Sequence, residues 1–277
     1  MLDQYEYEHD YLRLLKSVEV TGEVVEGRNG DTLSCFGKML EIRSLEKGYF
    51  PILTTRKMHL DGILGELAAF VRGATMLRDF KNWGCNYWDA NAIAWKANED
   101  HAASELRVGK LYGAQWRNFN GVDQLKALLK GLKEQPTSRR HILTAYNPAE
   151  LHLACLPPCH LMVQYSVRRG YWLESCVYMR SVDLCVGLPT DVALYAAMQI
   201  VLANELALYP GPITFMLGDA HIYANHLDAL NEQTAREPGE LPTYDLLGHS
   251  RITEFTPDDL VLLNYRPQPR IDYVFNV

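Results

Sequence analysis

The segment that most constrains the fold is DVALYAAMQIVLANELALYPG, from Asp191 to Gly211, which is long, apolar and almost free of charge. A helix that is apolar on all sides is stable only where other elements surround it. The sequence therefore predicts a central helix that is buried on most faces. Asp191 is unusual at the start of such a segment. It is either a helix-capping residue that accepts backbone N–H groups or a functional carboxylate.

The rest of the chain has hydrophobic patterns typical of helices and strands in mixed order. Helical spacing occurs in residues 10–20, 59–73 and 123–136. Alternation typical of strands occurs in residues 32–42, 139–147, 160–169 and 171–181. The last two flank Arg169-Gly170 and are predicted to form an antiparallel hairpin. We find no repeat, low-complexity tract or linker, so we expect one α/β (α+β) domain, residues 1–277, with a mixed β-sheet, a buried central helix and surrounding helices.

Composition restricts the classes of function. Of the 277 residues, 48% are hydrophobic and 22% are charged, and the net charge of −7 argues against non-specific binding to nucleic acid or acidic membranes. An anionic ligand must therefore be held by a local group of arginines. The N-terminus is acidic where a secretory signal is basic, and no apolar stretch approaches the roughly 20 residues that span a bilayer. With six cysteines and no signal, the sequence predicts reduced thiols and a cytoplasmic location.

Two motifs suggest a reactive thiol. LPPCH places Cys159 after two prolines, although a buried cysteine is more often a small apolar residue than a nucleophile. YMRSVD supplies Arg180 and Ser181 from the neighbouring strand. An arginine beside Cys159 would lower the pKa of the thiol and help to bind an anion.

Two further motifs suggest contacts to a polar ligand. SRR adds Arg139 and Arg140 as a second cationic group, which is also consistent with a solvated turn. GDAHIYANH puts His221 and Tyr223 on one face of a strand. They could bind a sugar hydroxyl or be satisfied core residues.

The segment HLACLPPCH raises the alternative of a zinc site. It contains His152, Cys155, Cys159 and His160, which are residue types that bind zinc. The segment lacks a paired C-x-x-C, and an adjacent Cys and His rarely reach one ion. The H-x-E and P-C-x-x-C pattern of zinc nucleotide deaminases is also missing. We therefore expect no metal.

Longer motifs are similar to those of one known family, in the same order. They are GDTLSCFG with Arg28 before it, FPILTTRKMHLDGILGEL, YWDANA, LYGAQWR, SRRHILTAYNPAEL, LPPCH, YMRSVDLCVGLP, LGDAHIYANH, REP and NYRPQPRI. Over nearly its whole length the chain resembles the thymidylate synthase family. The resemblance implies a thymidylate synthase-like fold around a twisted sheet and an obligate homodimer. It also implies alkylation of C5 of a pyrimidine nucleoside monophosphate, with 5,10-methylenetetrahydrofolate as co-substrate.

The resemblance implies roles for individual residues. Cys159 matches the nucleophile that adds to C6 of the pyrimidine, and Glu66 matches the carboxylate that organises water and proton transfer. The implied catalytic residues are Cys159, Glu66, Asp191, Tyr112 and His160. The implied nucleotide ligands are Arg28, Arg139, Arg140, Arg180, Ser181, Gln164, Asp183, Asp191, His221 and Tyr223, with Arg139 and Arg140 donated across the dimer interface. The implied folate contacts are Trp88, Asp183, Gly187, Thr190 and Val277.

Asp191 departs from the family pattern G-x-P-F-N, in which asparagine reads uracil. The asparagine amide complements O4 and N3–H of uracil, whereas cytosine presents a donor at N4 and an acceptor at N3. A carboxyl group can accept from N4–H2 and share a proton with N3. It would set lone pair against lone pair at O4 of uracil, which strongly rejects that base. The sequence therefore predicts that Asp191 reads cytosine, and the related dCMP hydroxymethylases resemble this arrangement.

Further departures concern the product. Thr190 stands where the family has phenylalanine, and Asn91 where it has tryptophan, so the folate pocket is expected to be more polar. In methylation, a methylene group on C5 is reduced by hydride from tetrahydrofolate, whereas in hydroxymethylation water attacks it. A wetter pocket favours the hydroxymethyl product, but the retained Trp88 and the terminal Val277 favour methylation. Gln268, in place of histidine, has no interpretation.

We therefore expect formation of 5-hydroxymethyl-dCMP through a covalent adduct of Cys159. The alternatives are 5-methyl-dCMP synthesis, CMP as substrate, and dUMP methylation by an ordinary thymidylate synthase. Such an enzyme suits a phage that modifies cytosine in its DNA, within the host cytoplasm, or a nucleoside-antibiotic pathway. A catalytically inactive relative that binds nucleic acid is disfavoured by the complete Cys–Arg–Glu set and the negative net charge.

Overall fold

The computed structural model describes residues 6–97, 105–248 and 251–276. The helices are α1 (Glu6–Thr21), α2 (Leu60–Val71), α3 (Leu77–Asn82), α4 (Asp89–Ala97), α5 (Tyr112–Arg117), α6 (Gln124–Glu134), α7 (Gly187–Glu205) and α8 (Leu227–Thr234). The strands are β1 (Glu23–Val25), β2 (Thr32–Ile42), β3 (Ile142–Thr144), β4 (His160–Arg168), β5 (Trp172–Asp183), β6 (Tyr209–Tyr223), β7 (Thr243–Leu246) and β8 (Leu260–Leu263).

The main sheet of the described chain has six strands in the order β1-β2-β6-β5-β4-β3. β5 and β6 are parallel, and the other neighbouring pairs are antiparallel. α7 connects β5 to β6, as a parallel pair requires a long crossover. The predicted β4–β5 hairpin is confirmed, and Arg169 and Gly170 have positive φ angles of 52° and 79° in its turn. This mixed sheet with helices around it confirms the predicted α/β fold class.

α7 is the central helix predicted from the uncharged segment. It starts at Gly187, earlier than predicted, and ends at Glu205, so the last part of that segment enters β6. The helix packs against α2 and against β5 and β6. Gln199, a buried polar residue of α7, donates to the carbonyl of Gly211 at 2.6 Å and accepts from the hydroxyl of Ser175. Its burial is therefore compatible with a stable core.

Two glycines allow neighbouring elements to approach closely. A Cβ atom at Gly218 on β6 would lie 2.8 Å from the carbonyl oxygen of Arg180 on β5. A Cβ atom at Gly113 on α5 would lie 2.1 Å from the carbonyl oxygen of Phe70 on α2. Neither position accepts a larger residue without movement of the backbone. These contacts hold Arg180 and the α5 residue Tyr112 at the part of the fold where the candidate site lies.

The other predicted elements are found with adjusted bounds. α1, α2 and α6 confirm the three predicted helices, although α2 is buried over most of its length and is not amphipathic as predicted. α6 is capped by Asp123, whose carboxylate accepts the N–H of Lys126 at 3.0 Å. β2 has the predicted bounds, whereas β3 covers only three residues of the predicted 139–147, because only these pair with β4. Within the described ranges, none of the helices combines the length and the apolarity needed to cross a membrane.

Candidate active site

Cys159 lies directly before β4, where two prolines lead the chain into the strand. Its backbone N–H donates to Oη of Tyr112 at 2.9 Å, and its Sγ lies 3.6 Å from Nη2 of Arg180. Burial raises the pKa of the Cys159 thiol, and the charge of Arg180 opposes the rise. The arginine thus acts in the predicted direction, but burial is the larger effect.

The guanidinium of Arg180 is held by the loop that carries Cys159. Nε donates to the carbonyl of Pro158 and Nη2 to the carbonyl of Pro157, each at 2.8 Å. The backbone N–H of Arg180 also donates to the carbonyl of Cys159 at 2.9 Å. The cation therefore has a fixed position beside the sulfur. Ser181 follows it on β5 and is partly exposed.

Glu66 lies on α2 and is buried, with 6% of its surface exposed. Its Oε1 accepts the indole N–H of Trp88 at 2.7 Å. Burial, followed by the negative charge of Asp191, raises the pKa of Glu66 to about 8, while the hydrogen bond from Trp88 opposes the rise. Glu66 is therefore mostly protonated at neutral pH and can donate a proton inside the site.

Asp191 lies on the second turn of α7, since the helix begins at Gly187 after the N-cap residue Val186. The interpretation of Asp191 as a helix cap is therefore wrong. Its Oδ1 lies 3.0 Å from Nε2 of His160, a residue that is itself buried. The negative charge of Asp191 also raises the pKa of the Cys159 thiol. Asp191 therefore lies beside His160 and close to the Cys159 thiol.

His160 is held in place on three sides. Its Nδ1 lies 3.2 Å from Oη of Tyr195 on α7, and its Nε2 faces Asp191. Its ring stacks on that of Tyr112, with centroids 4.2 Å apart and an angle of 18° between the planes. The structure therefore brings together the predicted catalytic residues, which are Cys159, Glu66, Asp191, Tyr112 and His160.

Asp183 lies at the end of β5, where the chain turns towards α7. Its Oδ1 accepts the backbone N–H of Cys185 at 2.8 Å and faces Nδ1 of His226 at 3.7 Å. Burial raises the pKa of Asp183, and His226 opposes the rise. A Cβ atom at Gly187 would lie 3.8 Å from Cβ of Asp183 and 4.0 Å from Oδ2 of Asp191. The absent side chain of Gly187 therefore leaves open the space between these two carboxylates.

The two polar replacements have different surroundings. Thr190 directs its hydroxyl to the carbonyl of Val186 at 2.9 Å, so that its proton is used within the helix. Asn91 is buried on α4, three residues after Trp88. The hydroxyl proton of Thr190 is therefore not available to a ligand, and Thr190 makes the pocket less polar than the sequence suggests.

His221 and Tyr223 lie on β6 with ring centroids 5.2 Å apart. Nδ1 of His221 lies 3.0 Å from Oδ1 of Asp219, which also accepts the hydroxyl of Ser34 at 3.0 Å. Burial raises the pKa of Tyr223, and the charge of Arg28 opposes the rise. The loop that carries Arg28 therefore lies close to this pair.

Arg139 and Arg140 are not brought to the same place as Arg28. They are exposed and precede β3, which is the edge strand opposite to β1. The loop that carries Arg28 joins β1 to β2, so the two groups lie towards opposite edges of the sheet. Gln164 on β4 donates its amide to the carbonyl of Arg139 at 3.1 Å, so it is engaged with this loop.

The residues of the rejected zinc alternative do not converge. In the described ranges, the group of His, Cys, Asp and Glu side chains with metal-like spacing is Asp183, Cys185 and His226. None of these belongs to HLACLPPCH, and all six cysteines are unpaired. The predicted folate contact at Val277 lies outside the described residues. Gln268 is bound within the fold, with its amide donating to the carbonyl of Glu237 at 2.8 Å.

The sequence did not identify three residues that orient the site. Tyr195 binds His160, Asp219 binds His221, and His226 faces Asp183. Asp219 and His226 stand in the GDAHIYANH motif, but nothing in the motif distinguishes them as functional residues. Tyr195 lies in the apolar run of α7 and was indistinguishable there from a core aromatic.

Comparison with known proteins agrees with this geometry. The family model described as thymidylate synthase matches residues 9–277. The thymidylate synthase of Ascaris suum is 36% identical over 285 residues, which cover 96% of each chain. That of Herpesvirus ateles is 36% identical and covers 98% of each chain. That of Zymomonas mobilis is 36% identical and covers 95% of this chain and 97% of its own.

The fold and these matches define a transferase of one-carbon groups that uses methylenetetrahydrofolate as co-substrate. The chain belongs to the thymidylate synthase family. Members of this family bind a nucleoside monophosphate and folate, and they are typically homodimers.

Proposed function

We propose that this enzyme transfers a one-carbon unit to C5 of a cytidine monophosphate, with dCMP as substrate and 5-hydroxymethyl-dCMP as product. The observation that carries the proposal is the contact of 3.0 Å between Asp191 and His160 beside Cys159. It supports a carboxylate, rather than an amide, as the reader of the base. Residues 1–277 would form a single catalytic domain.

The base is activated by addition of the Cys159 sulfur to C6, which makes C5 nucleophilic. Arg180 is placed 3.6 Å from the sulfur, where its charge favours the thiolate. A nucleotide phosphate would share this cation, with Ser181 and Arg28 as further ligands. His221 and Tyr223 would bind the 3′-hydroxyl of the sugar. These roles are supported by the position of all five residues along β5, β6 and the adjoining loop.

Glu66 serves proton transfer in this scheme. Because burial keeps it mostly protonated at neutral pH, it can donate to the exocyclic nitrogen or to a bound water. Trp88 holds one carboxyl oxygen at 2.7 Å and leaves the other available. The carbon that is transferred comes from methylenetetrahydrofolate.

Asp183, Gly187 and Trp88 would contact the folate. Asp183 would accept N–H groups of the pterin, and burial of Trp88 supplies an apolar wall. The hydroxymethyl product is supported by the absence of a phenyl ring at Thr190 and by the polar Asn91. Since the Thr190 hydroxyl is bound to Val186, 5-methyl-dCMP is the close alternative.

Arg139 and Arg140 are proposed to complete the phosphate site of a second copy. Their distance from Arg28 within one protomer supports donation across a homodimer interface. CMP is a further possible substrate, because His221 and Tyr223 account only for the 3′-hydroxyl.

A second candidate function is methylation of dUMP. It is favoured by the names of the relatives, which are thymidylate synthases at 36% identity over nearly the whole chain. The relatives support methylation of dUMP better than they support one-carbon transfer to a cytidine monophosphate. It requires Asp191 to accept uracil.

The deciding experiment is to incubate the pure protein with methylenetetrahydrofolate and either dCMP or dUMP. The nucleotide product is identified by mass, and dihydrofolate is followed by its absorbance. A gain of CH2O on dCMP without dihydrofolate supports the proposal. A gain of CH2 with dihydrofolate identifies methylation of dCMP, and product from dUMP alone would replace the proposal by the second candidate.

A further inference from the structure

We propose that Asp183, Cys185 and His226 form a binding site for a divalent cation of the zinc type, and that an ion bound there inhibits the enzyme by blocking folate. One ligand atom from each of these side chains lies within 4.8 Å of the other two. The ion takes no part in the reaction. The ion site is independent of the proposed function, whereas the effect on folate rests on the proposed role of Asp183.

His226 is arranged like a histidine that binds a metal. Its Nε2 lies 2.7 Å from the carbonyl oxygen of Val274, and because a carbonyl can only accept, Nε2 carries the hydrogen of this bond. Nδ1 is therefore the nitrogen left for a ligand. His226 is fully buried, and its Nδ1 has no hydrogen-bond partner within the described part of the chain. Histidine ligands of metals usually donate their other ring N–H to a carbonyl or carboxylate in this way.

Asp183 brings a carboxylate oxygen close to Nδ1 of His226. Its Oδ1 lies 3.7 Å from this nitrogen, which is beyond hydrogen-bond distance. A tetrahedral zinc ion holds a nitrogen and an oxygen ligand roughly 3.4 Å apart, so only a small movement would let both atoms bind one ion. The backbone N–H of Cys185 donates to the same Oδ1 at 2.8 Å and holds the carboxylate in place.

Cys185 supplies the sulfur ligand. Its side chain is fully buried between β5 and α7 and forms no disulfide. Zinc binds the thiolate, so the thiol proton leaves to solvent when the Zn–S bond forms. Sulfur, nitrogen and oxygen together favour zinc, whereas magnesium and calcium prefer oxygen ligands alone. The ligand set therefore selects the class of ion.

The surroundings favour reversible binding over a permanent structural ion. Three protein ligands leave the fourth position of a tetrahedral ion to water, whereas structural zinc sites have four protein ligands. Nη2 of Arg56 donates to the carbonyl of Cys185 at 2.6 Å, and its positive charge opposes a second cation nearby. The carboxylate and the thiolate are therefore both needed to hold the ion. The side chain of Asp183 is 19% exposed and gives the ion a route from solvent.

A bound ion would compete with folate. Asp183 is the proposed acceptor for N–H groups of the pterin, and it cannot serve both partners at once. Cys159 and Arg180, which are proposed to contact the nucleotide, do not belong to the ion site. We therefore expect zinc to weaken binding of methylenetetrahydrofolate and to leave nucleotide binding unchanged.

Equilibrium dialysis of the pure protein against zinc chloride, followed by metal analysis, tests the site. We expect one zinc ion per chain. Cys185→Ser and His226→Gln should each weaken its binding by at least roughly 100-fold, because each removes a direct ligand. Cys85→Ser changes another fully buried, unpaired thiol, and Cys159→Ser changes the proposed nucleophile. Both are controls and should bind zinc like the unmodified protein.

Cobalt(II) provides a second measurement on the unmodified fold. Cobalt bound through Cys185 should show a thiolate-to-cobalt charge-transfer absorption, which should persist in Cys159→Ser and disappear in Cys185→Ser. A cobalt complex of the unmodified protein without this absorption would overturn the inference. Equal zinc content in Cys185→Ser and the unmodified protein would also overturn it.

Steady-state kinetics with the nucleotide that the enzyme converts separates the ion site from the proposed function. At ten times its Kd, zinc should raise the KM for methylenetetrahydrofolate about 10-fold with little change in kcat. Cys185→Ser should keep its basal activity and lose this inhibition. Binding of one zinc ion per chain without a rise in this KM would support the ion site and contradict the proposed folate contact of Asp183.

Discussion

Nδ1 of His221 lies 3.0 Å from Oδ1 of Asp219, two residues earlier on β6. This contact places the imidazole hydrogen on Nδ1, so that Nε2 is left as an acceptor. In the proposed site, the sugar 3′-hydroxyl is then the donor to His221. A second donor, the hydroxyl of Ser34, holds the same carboxylate oxygen at 3.0 Å.

Asp219→Asn should therefore weaken nucleotide binding, because the amide no longer favours one tautomer of His221. We expect the KM for the nucleotide to rise about 10-fold with little change in kcat, as for loss of a hydrogen bond that binds the ground state and the transition state equally. Steady-state kinetics measures both constants. Ser34→Ala, which leaves the contact between Asp219 and His221 in place, is the control. An equal effect of both variants would show that Asp219 acts only through strand packing.

Cys159→Ser should lose nearly all turnover while still binding the nucleotide, because a hydroxyl is a much weaker nucleophile than a thiolate. Equilibrium binding and product formation should be measured on the same preparation. Cys155→Ser, four residues earlier in the chain, is the control and should retain activity. Full activity of Cys159→Ser would contradict the proposed covalent mechanism.

Asp191→Asn should move the preference from dCMP towards dUMP, because the amide can donate to O4 of uracil. Competition between the two nucleotides for one limiting amount of enzyme gives the ratio of their kcat/KM values. If this ratio were the same in the variant and the unmodified protein, the carboxylate would not be the reader of the base.

Glu66 should make stability decrease as pH rises. Its pKa is about 8 in the folded protein against a usual value of 4.5, so between these values the folded state binds more protons than the unfolded state. The free energy of unfolding therefore falls with increasing pH across this window, by roughly 4 to 5 kcal/mol from this group alone.

Urea unfolding at about pH 6 and about pH 9, at one protein concentration, should detect roughly 3 kcal/mol of this decrease. Glu66→Gln should lose less stability over this interval than the unmodified protein. Trp88→Phe removes the hydrogen bond that opposes the raised pKa, so it should move the decrease to higher pH. Parallel pH profiles of Glu66→Gln and the unmodified protein would show that Glu66 ionises normally.

The elements predicted well from the sequence are those whose pattern is set by burial on one or all faces. α7 and α2 have long apolar runs, and β4 and β5 alternate around a turn with positive φ angles. β7 and β8 were missed because they have four residues each and form a separate two-stranded sheet. The start of α7 was misplaced because Gly187 and Pro189 usually interrupt a helix, whereas here they form its first turn.

In the candidate site, residues within long motifs were predicted, and their mutual contacts were not. Cys159 and Arg180 follow from LPPCH and YMRSVD. The pairing of His160 with Tyr195 joins residues 35 apart in the chain, and it depends on how α7 lies against β4. Such a contact leaves no local pattern in the sequence.

The anchoring of Arg180 has a consequence for affinity. A free arginine side chain has about 2 kcal/mol of rotamer entropy, which a ligand must normally remove when it binds. Two loop carbonyls already immobilise the Arg180 guanidinium at 2.8 Å, so that this loss occurs during folding. A phosphate arriving at Arg180 should therefore bind up to roughly 30-fold more tightly than it would to a mobile arginine of equal charge.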